Sequence, residues 1–214
     1  MNIVSTNIAK PTTIIWNNKS ITTGIYKNPI SHPIFLDEQG VKGDEVSDRE
    51  VHGGQYKACY LFSVDYYPYW KRLYPNLKWD YGMFGENLTI SGLDESKILV
   101  GDIYKIGEAL VQVTQPREPC FKFGIKFENQ GVLKQFIDHA HPGFYVRILE
   151  SGFVKSKDKI TLIEQAKNSL SIQDFYKLVF AKDKNQEHLK LAVDLEALPL
   201  PKREKLRTYI LGQI

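Results

Sequence analysis

The strongest β-hairpin pattern in the chain is Asp102-Ile103-Tyr104-Lys105-Ile106-Gly107-Glu108-Ala109-Leu110-Val111-Gln112-Val113-Thr114. In its second strand, Ala109, Val111 and Val113 point to one face and the residues between them point to the other. Short apolar runs broken by glycine, proline, asparagine and aspartate continue on both sides, from the N-terminus to about residue 165. This texture is typical of a β-barrel or β-sandwich, so the sequence predicts a mainly β fold with short helices.

Further elements follow from the same patterns. We predict strands over residues 21–23, 57–62, 143–149 and 159–163, and a short helix over residues 131–137. After about residue 167 the apolar period becomes helical. Ser171 is placed to cap one helix, a second fits Gln186 to Val193, and a third begins near Pro201, because proline is favoured in the first helical turn.

This change from short β-type apolar runs to a helical period divides the chain into a β-barrel domain, residues 1–166, and a C-terminal three-helix module, residues 167–214. A module this short buries little surface by itself. We therefore expect it to dock on the β domain or on a partner protein.

Composition limits the class of protein. The chain has 214 residues, of which 43% are hydrophobic, so it is able to bury a core. A formal charge of +3 argues against a general binder of nucleic-acid polymers. Two cysteines are too few for a disulfide framework or an iron–sulfur site. The sequence has no signal-peptide pattern and no apolar run of about 20 residues, so we expect a cytoplasmic protein with no membrane partner.

One cysteine stands in an unusual setting, the segment Gln115-Pro116-Arg117-Glu118-Pro119-Cys120-Phe121-Lys122. Its prolines fix φ and remove backbone donors, so this segment predicts a stiff loop after the hairpin. Neighbouring cations favour the thiolate, which attacks electrophiles and binds soft metals. We therefore interpret Cys120 as functional, whereas Cys59, in an apolar run, is interpreted as a core residue.

Three other segments are candidates for a site. The first is Gly43-Asp44-Glu45-Val46-Ser47-Asp48-Arg49-Glu50-Val51-His52-Gly53-Gly54, which fits either a polar network at a cleft or a solvated loop. The second is Gly82-Met83-Phe84-Gly85-Glu86-Asn87-Leu88-Thr89, which by itself favours a tight turn. The third runs from Lys19 to Pro29, where Lys19 and Lys27 are either phosphate ligands or ordinary exposed lysines.

Taken in order, these segments resemble the MOSC domain family, named for the C-terminal part of molybdenum cofactor sulfurases. The matching features are Asp48 and His52-Gly53-Gly54, then Gly85-Glu86-Asn87-Leu88-Thr89, then Gly101-Asp102, then Pro116-Arg117 and Pro119-Cys120. The resemblance is greatest to the stand-alone subgroup similar to bacterial YiiM, and it covers nearly the whole chain because that subgroup also ends in three helices.

The resemblance implies a MOSC-type β-barrel whose cleft binds the molybdenum cofactor, molybdopterin, with Cys120 as metal ligand and catalytic residue. It also implies reduction of N-hydroxylated compounds, namely hydroxylamino-purines, amidoximes and hydroxamic acids, as in detoxification. Asp48 and His52 would orient the substrate or deliver protons. The residues that would hold the cofactor are Arg117, Asn87, Thr89, Lys19, Lys27, Gly53 and Gly54.

Electrons would have to come from elsewhere. The sequence lacks iron–sulfur, flavin and nicotinamide fingerprints, so the enzyme hypothesis implies a flavin or iron–sulfur reductase as partner. The aromatic residues between Tyr66 and Tyr81 either form a wall for a flat heterocyclic substrate or fill a core. Two other functions stay open: a non-catalytic carrier or binding module for molybdenum cofactor or sulfur, and a thiol protein without molybdenum.

Overall fold

The computed structural model describes residues 1–44 and 54–210. Strands make up most of the described part. In chain order they are β1 (Asn2–Ile8), β2 (Thr12–Trp16), β3 (Lys19–Thr23), β4 (Asn28–Ile30), β5 (Ile34–Asp37), β6 (Gly40–Val41), β7 (Cys59–Ser63), β8 (Leu88–Ser91), β9 (Ile103–Ile106), β10 (Ala109–Pro116), β11 (Phe144–Glu150), β12 (Gly152–Val154) and β13 (Ile160–Glu164).

The α-helices lie between strands or after the last of them. They are α1 (Tyr67–Leu73), α2 (Phe121–Lys126), α3 (Val132–His139), α4 (Ile172–Phe180), α5 (Gln186–Asp194) and α6 (Leu200–Arg207). Within the described ranges, none of these helices is long and apolar enough to cross a lipid bilayer.

Eight strands form the main sheet, in the spatial order β13-β9-β10-β11-β7-β8-β1-β4. The predicted hairpin lies near one end of it, next to the edge strand β13: β9 and β10 pair antiparallel, with Ala109 opposite Ile106 and Val111 opposite Tyr104. Ala109, Val111 and Val113 are fully buried. The face assignment made from alternation is therefore confirmed up to Val113, where Leu110 and Gln112 on the opposite face are only partly buried. After Val113 the alternation ends, because the last three residues of β10 are all buried.

The prediction of a mainly β fold with helices is confirmed, but the closed barrel is not. The free edge of β1 is divided between two partners. Its C-terminal half pairs with β4, from Thr6 opposite Ile30, whereas near its start Asn2 makes an isolated bridge to Lys159. Because no continuous ladder joins β1 to β13 in the described chain, the sheet curls without closing.

Two cores support the sheet. The larger one combines strand residues such as Val113 with Phe175, Leu189 and Leu198 of the C-terminal segment, all of them fully buried. The three predicted C-terminal helices are present, and the Ser171 hydroxyl caps α4 by accepting a hydrogen bond from the Asp174 N–H at 3.0 Å. The helices thus share the core of the sheet. The boundary at residue 166 stays a prediction.

The second core is aromatic and lies under α1, α2 and α3. The Phe62 and Phe84 rings stack with centroids 4.0 Å apart, and Trp70 packs against Phe127 and Phe136. Tyr66, Tyr67, Tyr74, Trp79 and Tyr81 belong to this cluster or pack against it. The aromatic run is therefore a core that fixes the Gly82–Asn87 loop against the sheet.

Candidate functional site

A cavity of about 510 Å³ lies at the end of β10. Five stretches of chain and one strand residue form its walls: the loop after β3, the β5–β6 hairpin with the turn that follows it, the segment leading into β7 with its first residues, the loop before β8, residues 117–122, and Tyr145 of β11. A volume of this size suits an organic cofactor or a small substrate. The cavity brings together several of the residues predicted from the sequence: Arg117, Asn87, Lys27, Gly54 and Cys120.

Cys120 is presented by the stiff loop that the prolines predict. Strand β10 ends at Pro116 and helix α2 begins at Phe121, so Cys120 is the last residue before the helix, in an extended conformation. Its thiol is free and partly exposed, and it lines the cavity. Cys59 is free too but fully buried, and burial raises the pKa of its thiol. Of the two thiols, only Cys120 is available for chemistry.

Arg117 is held beside Cys120 by aromatic rings. Its guanidinium carbon lies 4.5 Å from the Phe123 ring centroid and 5.3 Å from that of Tyr60. It donates a hydrogen bond of 2.6 Å to the Phe84 carbonyl. Because the residue is 6% exposed and a guanidinium stays protonated, it gives the cavity a permanent buried positive charge.

On the opposite wall Lys27, Asp44 and Asn87 form a buried polar network. The Asp44 carboxylate accepts hydrogen bonds from the Lys27 ammonium at 2.5 Å, the Asn87 amide at 2.9 Å and the Ala9 N–H at 2.7 Å. The Asn87 side-chain oxygen accepts from the Tyr60 N–H at 3.2 Å. The network orients Asn87 and Lys27 at the cavity edge.

Glycines let the chain segments approach closely enough to form this wall. Gly82 has a φ of +83°, and a Cβ there would lie 2.8 Å from the Lys27 carbonyl oxygen. The neighbouring Glu86 is fully buried and accepts hydrogen bonds from the Gly82 N–H at 2.9 Å and the Tyr67 hydroxyl at 2.5 Å. The second candidate segment is therefore a tight turn, as expected, and it also carries Gly85 and Asn87 to the cavity.

Two predicted cofactor residues lie elsewhere. The Thr89 hydroxyl is buried and donates a hydrogen bond of 2.7 Å to the Glu86 carboxylate, so it stabilises the Gly82–Asn87 loop and does not line the cavity. Lys19 is exposed and starts β3 in the two-stranded β2–β3 sheet, away from the cavity lining. Gly53 and the proposed proton donors Asp48 and His52 lie outside the described residues.

Sequence reasoning missed Tyr60, Tyr145 and Lys57, which also line the cavity. Tyr60 and Tyr145 have ring centroids 5.0 Å apart, and burial raises the pKa of both phenols, so they stay protonated. Burial, and next the nearby Lys202, lowers the pKa of Lys57. Lys122, a cation that the sequence places two residues after Cys120, lines the cavity as well. The three missed residues depend on pairing between distant strands, which no local pattern reveals.

This donor set fits a metal that brings its own organic ligand. Among residues 1–44 and 54–210, no group of three or more histidine, cysteine, aspartate and glutamate side chains is placed to hold a metal ion. The cavity offers a single soft sulfur ligand, Cys120, together with Arg117, Lys27, Lys57 and Lys122. One thiolate and several cations suit an anionic, phosphate-bearing cofactor that supplies the remaining metal ligands.

Comparisons with known proteins show the family of this chain. The chain matches the MOSC domain family over residues 48–161. Protein YflK of Bacillus subtilis (strain 168), which is uncharacterized, is 33% identical over 183 residues, spanning 86% of this chain and 82% of that protein. Protein YiiM of Escherichia coli (strain K12) is 32% identical over 154 residues, 71% of this chain and 68% of that protein.

A longer relative has a functional name. A protein of Gibberella moniliformis (strain M3125 / FGSC 7600) called "Reductase" is 32% identical over 183 residues. The matched part is 84% of this chain but 32% of that protein.

Solved structures show the same fold. The YiiM structure from Geobacillus stearothermophilus superposes with a TM-score of 0.81 at 32% identity and covers 98% of both chains. The Escherichia coli YiiM structure superposes with a TM-score of 0.77 over 100% of this chain and 94% of that one, at 22% identity. The protein therefore belongs to the MOSC domain family, as a YiiM-like member.

Proposed function

We propose that this protein is a molybdenum-cofactor-dependent reductase of N-hydroxylated compounds. The observation that carries the proposal is the placement of the free Cys120 thiol in a 510 Å³ cavity beside a buried arginine. Membership of the MOSC family and the relative named as a reductase support it. The substrate class comes from the family resemblance: hydroxylamino-purines, amidoximes and hydroxamic acids.

The cavity residues have distinct roles in this proposal. Cys120 is the metal ligand, and Arg117, Lys27, Lys57 and Lys122 bind the anionic groups of the cofactor. Asn87 offers an amide that Asp44 holds in place, which suits a hydrogen bond to a heterocycle edge. Gly54, with a φ of +84°, leaves the backbone accessible to a ligand. Thr89 and Lys19 have no contact with the cavity that would support such a role.

The reaction consumes two electrons and two protons: R–NH–OH + 2e⁻ + 2H⁺ gives R–NH₂ + H₂O. When bound, the cofactor supplies the redox chemistry that removes the substrate oxygen. Lys57 is suited to hold and release a proton at the cavity wall, because burial lowers the pKa of its ammonium. Asp48 and His52 remain candidates for the same task. The rings of Tyr60 and Tyr145 exclude water from one side of the cavity.

The electrons come from a separate flavin or iron–sulfur reductase in this proposal, since the sequence has no fingerprint for either cofactor. The C-terminal helices are a candidate docking surface. Because these helices share the core of the sheet, removing them is not a clean test of docking; charge-reversal variants at exposed positions of α5 are preferable.

The decisive experiment measures molybdenum and pterin content after expression in a host that makes the cofactor and is supplied with molybdate. We expect stoichiometric molybdenum in the wild type and in Cys59→Ala, and little in Cys120→Ser. The loaded wild type should then reduce a hydroxylamino-purine with a chemical electron donor. Molybdenum-free wild-type protein would refute the proposal. Loaded protein without turnover would favour the carrier function instead.

A further inference from the structure

A second cavity, of about 620 Å³, adjoins the first at the junction between the sheet and the C-terminal helices. Gly54, Lys57 and Glu118 line both cavities. A ligand that occupies the Cys120 cavity is therefore next to this second space. The remaining walls come mainly from α6 with its flanking residues, with smaller parts from the end of α4 and the residue Lys184 after it, from Gln115 of β10, and from the segment before β7.

The second cavity is strongly cationic. Among the described residues that line it, Lys57, Lys184, Lys202 and Lys205 stand against one carboxylate, that of Glu118. The like charges are close enough to disfavour one another: burial and then Lys202 lower the pKa of Lys57, and burial and then Lys205 lower that of Lys184. An anion placed among these lysines relieves this repulsion.

Two of these cations are fixed in position. The Lys184 ammonium donates hydrogen bonds to the carbonyls of Leu178, Val179 and Ala181 at 2.9–3.0 Å, at the end of α4. Lys202 is bound to the Glu118 carboxylate and donates to the Gln115 side-chain oxygen at 3.0 Å. These three hydrogen bonds use every N–H of Lys184, so it offers a fixed positive charge and no further donor, whereas two bonds leave Lys202 one N–H for a ligand. Because both ammonium groups are already ordered, a bound anion costs less side-chain entropy.

The cavity also holds an unsatisfied donor. Gln115 is 3% exposed, and Lys202 fixes its side-chain oxygen. The Nε2 nitrogen of the same amide is buried and has no hydrogen-bond partner among the residues that the structure describes. A buried donor without an acceptor is destabilising, so a ligand with acceptor oxygens that reached this nitrogen would be favoured.

We propose that this second cavity binds the phosphate group of a nucleotide whose base reaches the Cys120 cavity. A phosphate monoester carries the charge that four lysines favour and the acceptor oxygens that Gln115 lacks. The substrate class is then N-hydroxylated nucleotides in preference to free bases. That last step rests on the proposed function; the phosphate site does not.

The test compares binding of adenosine 5′-monophosphate and adenosine to the full chain, by titration calorimetry, with inorganic phosphate as a third probe. We expect the monophosphate to bind wild-type protein about tenfold more tightly than adenosine, because charge-assisted hydrogen bonds are worth this much or more. Gln115→Glu, which places a carboxylate at the donor site, and Lys205→Gln should each bring the ratio close to one. Lys190→Gln, an exposed lysine of α5 outside the cavity lining, is the matched control and should keep the ratio.

Equal affinity for nucleotide and nucleoside, or a ratio that neither variant changes, would overturn the inference. Binding of inorganic phosphate with no advantage for the nucleotide would overturn the substrate assignment. Two variants are used so that a folding failure of Gln115→Glu leaves Lys205→Gln as a test. The binding test needs no molybdenum, and the molybdenum-loading test described above needs no nucleotide. Failure to load molybdenum together with a preference for the monophosphate would refute only the proposed function. Successful loading without that preference would refute only this inference.

Discussion

The Asp44 carboxylate accepts three hydrogen bonds in a nearly dry environment, which makes it the most informative residue to change. The Asp44 and Lys27 side chains are 4% and 7% exposed. Removing one partner of a buried ion pair costs about 3–5 kcal/mol, because the other charge stays buried without compensation. In Asp44→Asn one side-chain oxygen still accepts a hydrogen bond, so we expect a loss near the lower end, about 3 kcal/mol of unfolding free energy.

The assay is urea unfolding followed by tryptophan fluorescence, for the wild type, Asp44→Asn, Lys27→Met and the double variant. Lys27→Met leaves the carboxylate with its other two donors, so it should cost less than Asp44→Asn. The double variant should be more stable than the sum of the single losses predicts, by at least about 1 kcal/mol, because the two groups interact directly. Strictly additive losses, or a loss below about 1 kcal/mol in Asp44→Asn, would show that the buried network described here does not exist in solution.

Three further predictions follow from other parts of the fold. Gly82→Ala should cost about 3 kcal/mol of unfolding free energy, because its Cβ would lie 2.8 Å from the Lys27 carbonyl oxygen at a φ of +83°. The control Gly92→Ala has open space around the new Cβ at a φ of +71° and should cost about 1 kcal/mol. Equal losses of the two variants in urea titrations would contradict the close approach at Gly82. Burial, and next His141, lowers the pKa of His139 to about 4, below the usual 6.5. On acidification the His139 side chain is therefore protonated in the unfolded chain before it is protonated in the folded one. The free energy of unfolding should fall as the pH drops from 6.5 to 4, by about 1 kcal/mol after allowance for solvent screening. His139→Phe should flatten this part of the stability–pH curve, and an unchanged curve would assign the acid sensitivity to another group. A chain that stops at Lys167 should lose its cooperative thermal transition in near-ultraviolet circular dichroism, because Phe175, Leu189 and Leu198 complete the main core; a sharp transition in the fragment would show that the sheet folds alone.

Local patterns were sufficient for several parts of this molecule. Alternation in the Ala109–Val113 strand identified the buried face, and Ser171 marked the start of a helix. Both signals are contained within a few residues. The prolines around Cys120 likewise determine the loop without help from the rest of the chain. These elements were predictable because the forces that form them act at short range.

Other features depend on contacts between distant segments. Whether the sheet closes depends on which strand takes the free edge of β1, and nothing in the sequence of β1 says that β4 and Lys159 share it. Lys57 and Tyr145 reach the cavity from the segment before β7 and from β11, which are distant in sequence but pair with each other in the sheet. The aromatic run left open whether its rings form a wall for a substrate or fill a core, and only the contacts between distant segments assign them to a core.

The ion pair between Glu118 and Lys202 has a consequence for protein engineering. Glu118 belongs to the Cys120 loop and Lys202 to α6, so the C-terminal helices supply part of the same wall as the cavity loop. A chimera that exchanges these helices for those of a relative would change the charge and shape of that wall even with every residue of the sheet retained. Chimeras joined near residue 166 are therefore expected to inherit their ligand preference from both parents.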